Sequence, residues 1–176
     1  MSINILGVDY SINYTTILDL SWKGLKEIPD NVFELVNLKV LNLNHNKLTE
    51  ISLNINKLVN LESLGLNYNE LTEINDVSSL VKLEILNVSY NKLIEIPIDI
   101  NKLVNLEYLD LEYNKIKSIP YELCEMKKLV RVDFNSNYIC DDDSVKIFES
   151  LKVRDKFMAD QKHQPTKMLI LPMVII

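Results

Sequence analysis

Apolar residues return along this chain in one fixed phrase. It reads Leu38-Lys-Val-Leu41-Asn-Leu43-Asn-His-Asn46-Lys-Leu48-Thr-Glu-Ile51, and again Leu61-Glu-Ser-Leu64-Gly-Leu66-Asn-Tyr-Asn69-Glu-Leu71-Thr-Glu-Ile74. Later copies keep Leu83, Leu86, Val88, Asn91 and Leu93, then Leu106, Leu109, Leu111, Asn114 and Ile116, then Leu129, Val132, Phe134, Asn137 and Ile139. A degraded first copy holds Leu18, Leu20, Lys23, Leu25 and Ile28. The copies start at 15, 38, 61, 83, 106 and 129, in steps of 23, 23, 22, 23 and 23 residues. Within each copy the alternation Leu41-Asn-Leu43 predicts a short strand with leucines on one face. The return segments, such as Ile51, Ile55, Leu58 and Leu61, place apolar residues at helical spacing and predict a short helical or 3₁₀ turn. Strands repeated at one period stack into a parallel sheet, and each copy buries its apolar face only against its neighbours.

The phrase L-x-x-L-x-L-x-x-N-x-L, six times over residues 15–140, resembles the leucine-rich repeat family. With Ile-Pro after the Asn segment it is similar to the short 23-residue intracellular type found in Ras-suppressor and scaffold-type members. The resemblance implies an α/β solenoid, a right-handed superhelix with a concave parallel sheet and a convex face of short turns. It also implies a non-catalytic module that binds a protein partner on the concave face. The third copy, one residue short at Asn75-Asp-Val77, lacks the Pro of Ile28-Pro29, Ile96-Pro97 and Ile119-Pro120, and a local change of curvature is expected there. Residues 1–14 are expected to cap the N-terminal end. Lys23 stands where later copies have Asn, which marks the first copy as terminal. Asp141-Asp-Asp-Ser144 offers N-cap oxygens before Val145, Phe148 and Leu151, so 141–160 predicts a C-terminal capping helix. A linker and apolar tail, 161–176, follow. The tail, 168–176, has four open readings: packing on the cap, a partner or dimer contact, membrane association, or truncation of a longer chain.

The Asn column, Asn46, Asn69, Asn91, Asn114 and Asn137, sits where each strand ends, and its amides are expected to satisfy buried backbone groups. Composition sharpens this. The chain of 176 residues has 3 Gly and 20 Asn, so Asn is expected to supply much of the turn chemistry. The solvent-facing strand positions form columns. Asp19, Asn42, Gly65, Asn87, Asp110 and Asp133 lie between the strand leucines, and Ser21, Asn44, Asn67, Ser89, Glu112 and Asn135 follow two residues later. Trp22, His45, Tyr68, Tyr90 and Tyr113 stand beside the Asn column, and Tyr108 and Arg131 precede the second strand leucine. An aromatic column flanked by short polar residues suits protein recognition; equally, the rings could only shield the Asn column. Asp110, Glu112 and Asp133, with Glu107 at the edge, make one end acidic, which suits a partner with a basic surface or a cation unless Arg131 already balances the charge.

A net charge of −6 argues against nucleic acid and against an anionic membrane. The N-terminus has no signal-peptide pattern, no run is long enough for a membrane span, and two Cys make no secreted framework, so a cytoplasmic, intracellular location is expected. No catalytic set, cofactor loop or metal-ligand spacing can be assembled: His45 has no acid or nucleophile in reach, and Cys124 and Cys140 read as convex and cap residues. Asp110 and Asp133 could be imagined as a glycosidase pair, but a flat open sheet gives them no pocket to exclude water. The expected function is therefore partner binding on the concave face by a monomer, without enzyme activity or cofactor. The alternatives are a structural protein that self-associates or dimerises through 168–176, or a recognition fragment of a larger signalling or ubiquitin-ligase protein.

Overall fold

The computed structural model describes residues 1–74, 77–140, 142–147 and 149–151. A β-hairpin opens the chain, β1 (Ser2–Ile5) and β2 (Val8–Ser11), paired antiparallel. Six three-residue strands follow: β3 (Ile17–Asp19), β4 (Val40–Asn42), β5 (Ser63–Gly65), β6 (Ile85–Asn87), β7 (Tyr108–Asp110) and β8 (Arg131–Asp133). They form one parallel sheet in sequence order. The register sets Leu18, Leu41, Leu64, Leu86, Leu109 and Val132 side by side in a row. That row follows from the fixed repeat spacing, because equal loops leave no freedom to slip register.

The returns are 3₁₀ turns at Asp30–Glu34, Leu53–Lys57 and Ile98–Lys102, and a single α turn, α1, at Glu122–Glu125. Pro29 and Pro97 stand at the entries of two of these turns with φ −57° and −63°, values their rings impose. Ser52 enters the equivalent turn without Pro and caps it by accepting a hydrogen bond from the Asn54 N–H at 3.3 Å. Between sheet and returns lies a continuous core of Leu, Ile and Val, most of them fully buried.

Each open end of this core is covered. At the N-terminal end Ile5 is buried, Ile3 and Tyr10 pack on the core, and the Asn31 amide donates to the Asn4 carbonyl. The hairpin turns at Leu6 and Gly7, with φ 49° and 85°. At the C-terminal end residues 142–147 and 149–151 are helical. There Leu151 enters the core, and the buried Ser144 hydroxyl accepts from the Ile119 N–H at 2.7 Å. The change of curvature expected at Asn75 and Asp76 and the tail at 168–176 lie outside the described residues.

Candidate functional site

The Asn column runs under the edge of the concave face. The Asn69 carbonyl accepts from the Leu48 N–H at 3.0 Å, while its amide donates to the Leu43 and Leu66 carbonyls, both at 3.0 Å. Asn91, Asn114 and Asn137 repeat that pattern toward Leu71, Leu93 and Ile116. Each Asn thus serves the copy before it. The Leu43, Leu66, Val88 and Leu111 carbonyls each receive two amides, one from either side, so the bonds link into a chain along the solenoid. Asn46 accepts from the Lys23 and Leu25 N–H groups and donates to the Leu20 carbonyl. The first copy has no earlier copy to serve, and this is why Lys23 can replace Asn there.

The left-handed backbone does not fall on Asn, contrary to the compositional expectation. It falls on the residue before it: Trp22 (φ 60°), His45 (56°), Tyr68 (54°), Tyr90 (54°), Tyr113 (51°) and Ser136 (57°). A side chain in this region costs on the order of 1 kcal/mol or more. The rings recover part of it by stacking in an unbroken column. Trp22 and His45 lie 3.7 Å apart between centroids, His45 and Tyr68 4.3 Å, Tyr68 and Tyr90 4.2 Å, and Tyr90 and Tyr113 4.4 Å, with interplanar angles of 10–19°. Each stacked pair contributes about 0.5–1.5 kcal/mol. The column therefore turns its inner ring faces to one another. Burial, reinforced by the Tyr68 side chain and by Glu112, pushes the Tyr90 hydroxyl up to about 12, and burial lowers the His45 imidazole below its ordinary value.

The polar columns are partly occupied in holding the turn. Asp19, Asn42, Asn87, Asp110 and Asp133 each accept, through the side chain, the N–H two residues on, at 2.9–3.1 Å. Gly65 interrupts this series. A Cβ there would stand 2.8 Å from the Asn44 Oδ1, which already accepts from the Asn67 N–H at 3.0 Å. Asn44 thus does the work of the missing side chain. Tyr108, expected on the open face, is only 9% exposed, and the Arg131 guanidinium lies over its ring at 5.5 Å. Burial and neighbouring Asp110 push the Tyr108 hydroxyl up to about 12.

At the acidic end Asp110 and Asp133 are register partners on β7 and β8. Burial and the Asp133 charge hold the Asp110 carboxyl above its usual range. Burial with Asp133 and Asp110 does the same for Glu112. Among the described residues no group of three His, Cys, Asp or Glu side chains is placed to hold a metal ion. Cys124 is half-buried on α1, and Cys140 is free and exposed.

Models of the leucine rich repeat match residues 14–71 and, as two copies, 81–123. The receptor kinase SOBIR1 ectodomain of Arabidopsis thaliana is 30% identical over 69% of this chain and 70% of its own, with a TM-score of 0.60. The chain belongs to the leucine-rich repeat family. A leucine-rich repeat protein of Leptospira interrogans is 32% identical over 79% of this chain, with a TM-score of 0.65. An internalin of Listeria monocytogenes is 25% identical over 77%, with a TM-score of 0.67. This chain spans 42% and 39% of those two proteins' own lengths. No curated protein matches it. Proteins with this repeat are typically interaction modules without catalysis. No helix among the described residues is long and apolar enough to cross a membrane.

A second Asn column, not read from the sequence, ties the convex edge. The Asn37, Asn60 and Asn105 amides donate to the Asn13, Val36 and Val81 carbonyls at 3.2, 2.9 and 2.6 Å. Lys82 and Lys128 donate in turn to the Asn60 and Asn105 side chains, both at 2.7 Å. Its signal was present in the repeated Val-Asn-Leu at 36–38, 59–61 and 104–106.

Proposed function

We propose that this leucine-rich repeat chain is a non-catalytic module that binds a protein partner on its concave face, in the cytoplasm. The observation that carries the reading is the exposed seam of that face. Trp22, Tyr68 and Tyr113 remain 73%, 42% and 48% exposed although their rings are stacked. Their outward edges give a rigid, amphipathic contact strip whose rotors are already frozen, so little entropy is lost on binding. Beside this strip Asp110, Glu112, Asp133 and Arg131 are the charged groups for a partner, with Tyr108 acting through Arg131 and His45 within the strip. The acid at the C-terminal end favours a partner with a basic surface there.

Affinity capture from cells that make the protein tests this. The triple variant Asp110→Lys, Glu112→Lys, Asp133→Lys, combined with Tyr113→Ala, is expected to lose a partner that the wild-type chain retains. Unchanged capture would remove the concave face from consideration.

A further inference from the structure

The ring column stops at Tyr113, and the next position in it is Ser136. Ser136 has φ 57°, within the 51–60° of the five ring-bearing residues, so its backbone aims a side chain where a sixth ring would stand. The hydroxymethyl group fills little of that place. Tyr113 is 48% exposed, and Ser136 is exposed as well. Rings in the column are spaced 3.7–4.4 Å, so a planar group stacked at that spacing would lie on the outer face of Tyr113.

Negative charge collects around the same place. Glu112 precedes Tyr113, Asp133 lies three residues before Ser136, and Asp110 is the register partner of Asp133. Burial, and after it repulsion from the neighbouring carboxylates, makes Asp110 and Glu112 reluctant to ionise. A cation arriving there relieves that repulsion. Arg131, on the same strand as Asp133, is engaged over the Tyr108 ring of the neighbouring strand β7.

We propose that this slot receives an arginine side chain of a protein partner, its guanidinium plane stacked on Tyr113 above Ser136 and its N–H groups paired with Glu112 and Asp133. Arginine fits better than lysine because its cation is planar, weakly hydrated and forked toward carboxylates. The inference rests on the concave face being the binding face and names the partner's chemistry at one end of it.

The test titrates the full chain with two labelled nonapeptides of equal charge. One alternates arginine with serine, and the other alternates lysine with serine. The expected result is tighter binding of the arginine peptide by about three- to fivefold, in line with an exposed cation–π contact. Ser136→Tyr should fill the slot with a sixth ring, keep the fold, and abolish the preference. Tyr113→Leu, which keeps apolar bulk but loses the π face, should abolish it too. Equal affinities in the wild type, no binding of either peptide, or a preference that survives Ser136→Tyr and Tyr113→Leu overturns the slot. The concave-face reading fails separately if reversing Asp110, Glu112 and Asp133 to Lys leaves both peptides bound as before.

Discussion

Asn91→Ala should cost far more than its size suggests, and the bonds say how much. The side chain is buried, at 8% exposure, and its three shortest bonds run from the Leu71 N–H at 2.9 Å and to the Leu66 and Val88 carbonyls at 2.9 and 3.0 Å, with a longer one to the Ser89 carbonyl at 3.1 Å. Alanine leaves the Leu71 N–H without that acceptor, a penalty of about 1–3 kcal/mol. The two carbonyls keep their second donors, Asn69 and Asn114, so each loses only a net bond of about 1 kcal/mol. The sum is about 3–5 kcal/mol. Asn137→Ala, at the less buried end of the column, should cost about half as much. Urea denaturation followed by circular dichroism measures both. Trp22 is the single tryptophan and reports the first copy alone. In a solenoid with nearest-neighbour stability, weakening one central contact should also separate the Trp22 transition from the overall one. A loss below about 1 kcal/mol for Asn91→Ala, or an equal loss at Asn137, would refute the linked chain of amides.

At Tyr68 the usual order of alanine and glycine should reverse. Both substitutions lose two stacked contacts, but glycine also releases the left-handed strain, so Tyr68→Gly should be more stable than Tyr68→Ala by about 1 kcal/mol in the same urea assay. Asn44→Ala should cost about 1–2 kcal/mol by leaving the Asn67 N–H without its acceptor, and Gly65→Asn in that background should restore most of it, which a double-mutant cycle would read out. Asp110→Asn keeps the bond from the Glu112 N–H, as Asn42 and Asn87 keep theirs, and removes a repulsion worth about 1 kcal/mol at roughly 5 Å in water, so it should raise stability at pH 7. Because the folded Asp110 carboxyl titrates above its unfolded value, the folded state takes up its proton first; the wild type gains on the variant as pH falls toward the carboxylate range, and a gap that widens instead would contradict this. His45 acts with the opposite sign: burial lowers its folded value, so its contribution is lost as pH falls below about 6.5, a loss that His45→Phe should remove.

The sheet, its register and the Asn column were legible because they depend on spacing, and spacing survives in the letters of the chain. The conformation of the ring column was not. Nothing local marks His45 or Tyr90 as left-handed, since Gly or Asn would be the ordinary choice; the repeat geometry imposes it, and stacking between copies makes it tolerable. The opening hairpin was hidden for a similar reason, with Leu6 rather than Asn at its first left-handed position. Tyr108 shows another limit. Alternation placed it outward, yet its ring is long enough to lie down under Arg131. Of the polar columns read as solvent-facing, Gly65 and Ser89 are buried, and the hydrogen bonds back to the turn depend on backbone N–H directions that residue types do not reveal.

The choice of face is tested most directly by site-specific photocrosslinking to a captured partner, with p-benzoylphenylalanine in place of Asn135 on the concave side or of Val59 on the convex side, both exposed. Covalent capture from position 135 and none from position 59 is the predicted result. Capture from 59 alone would contradict it.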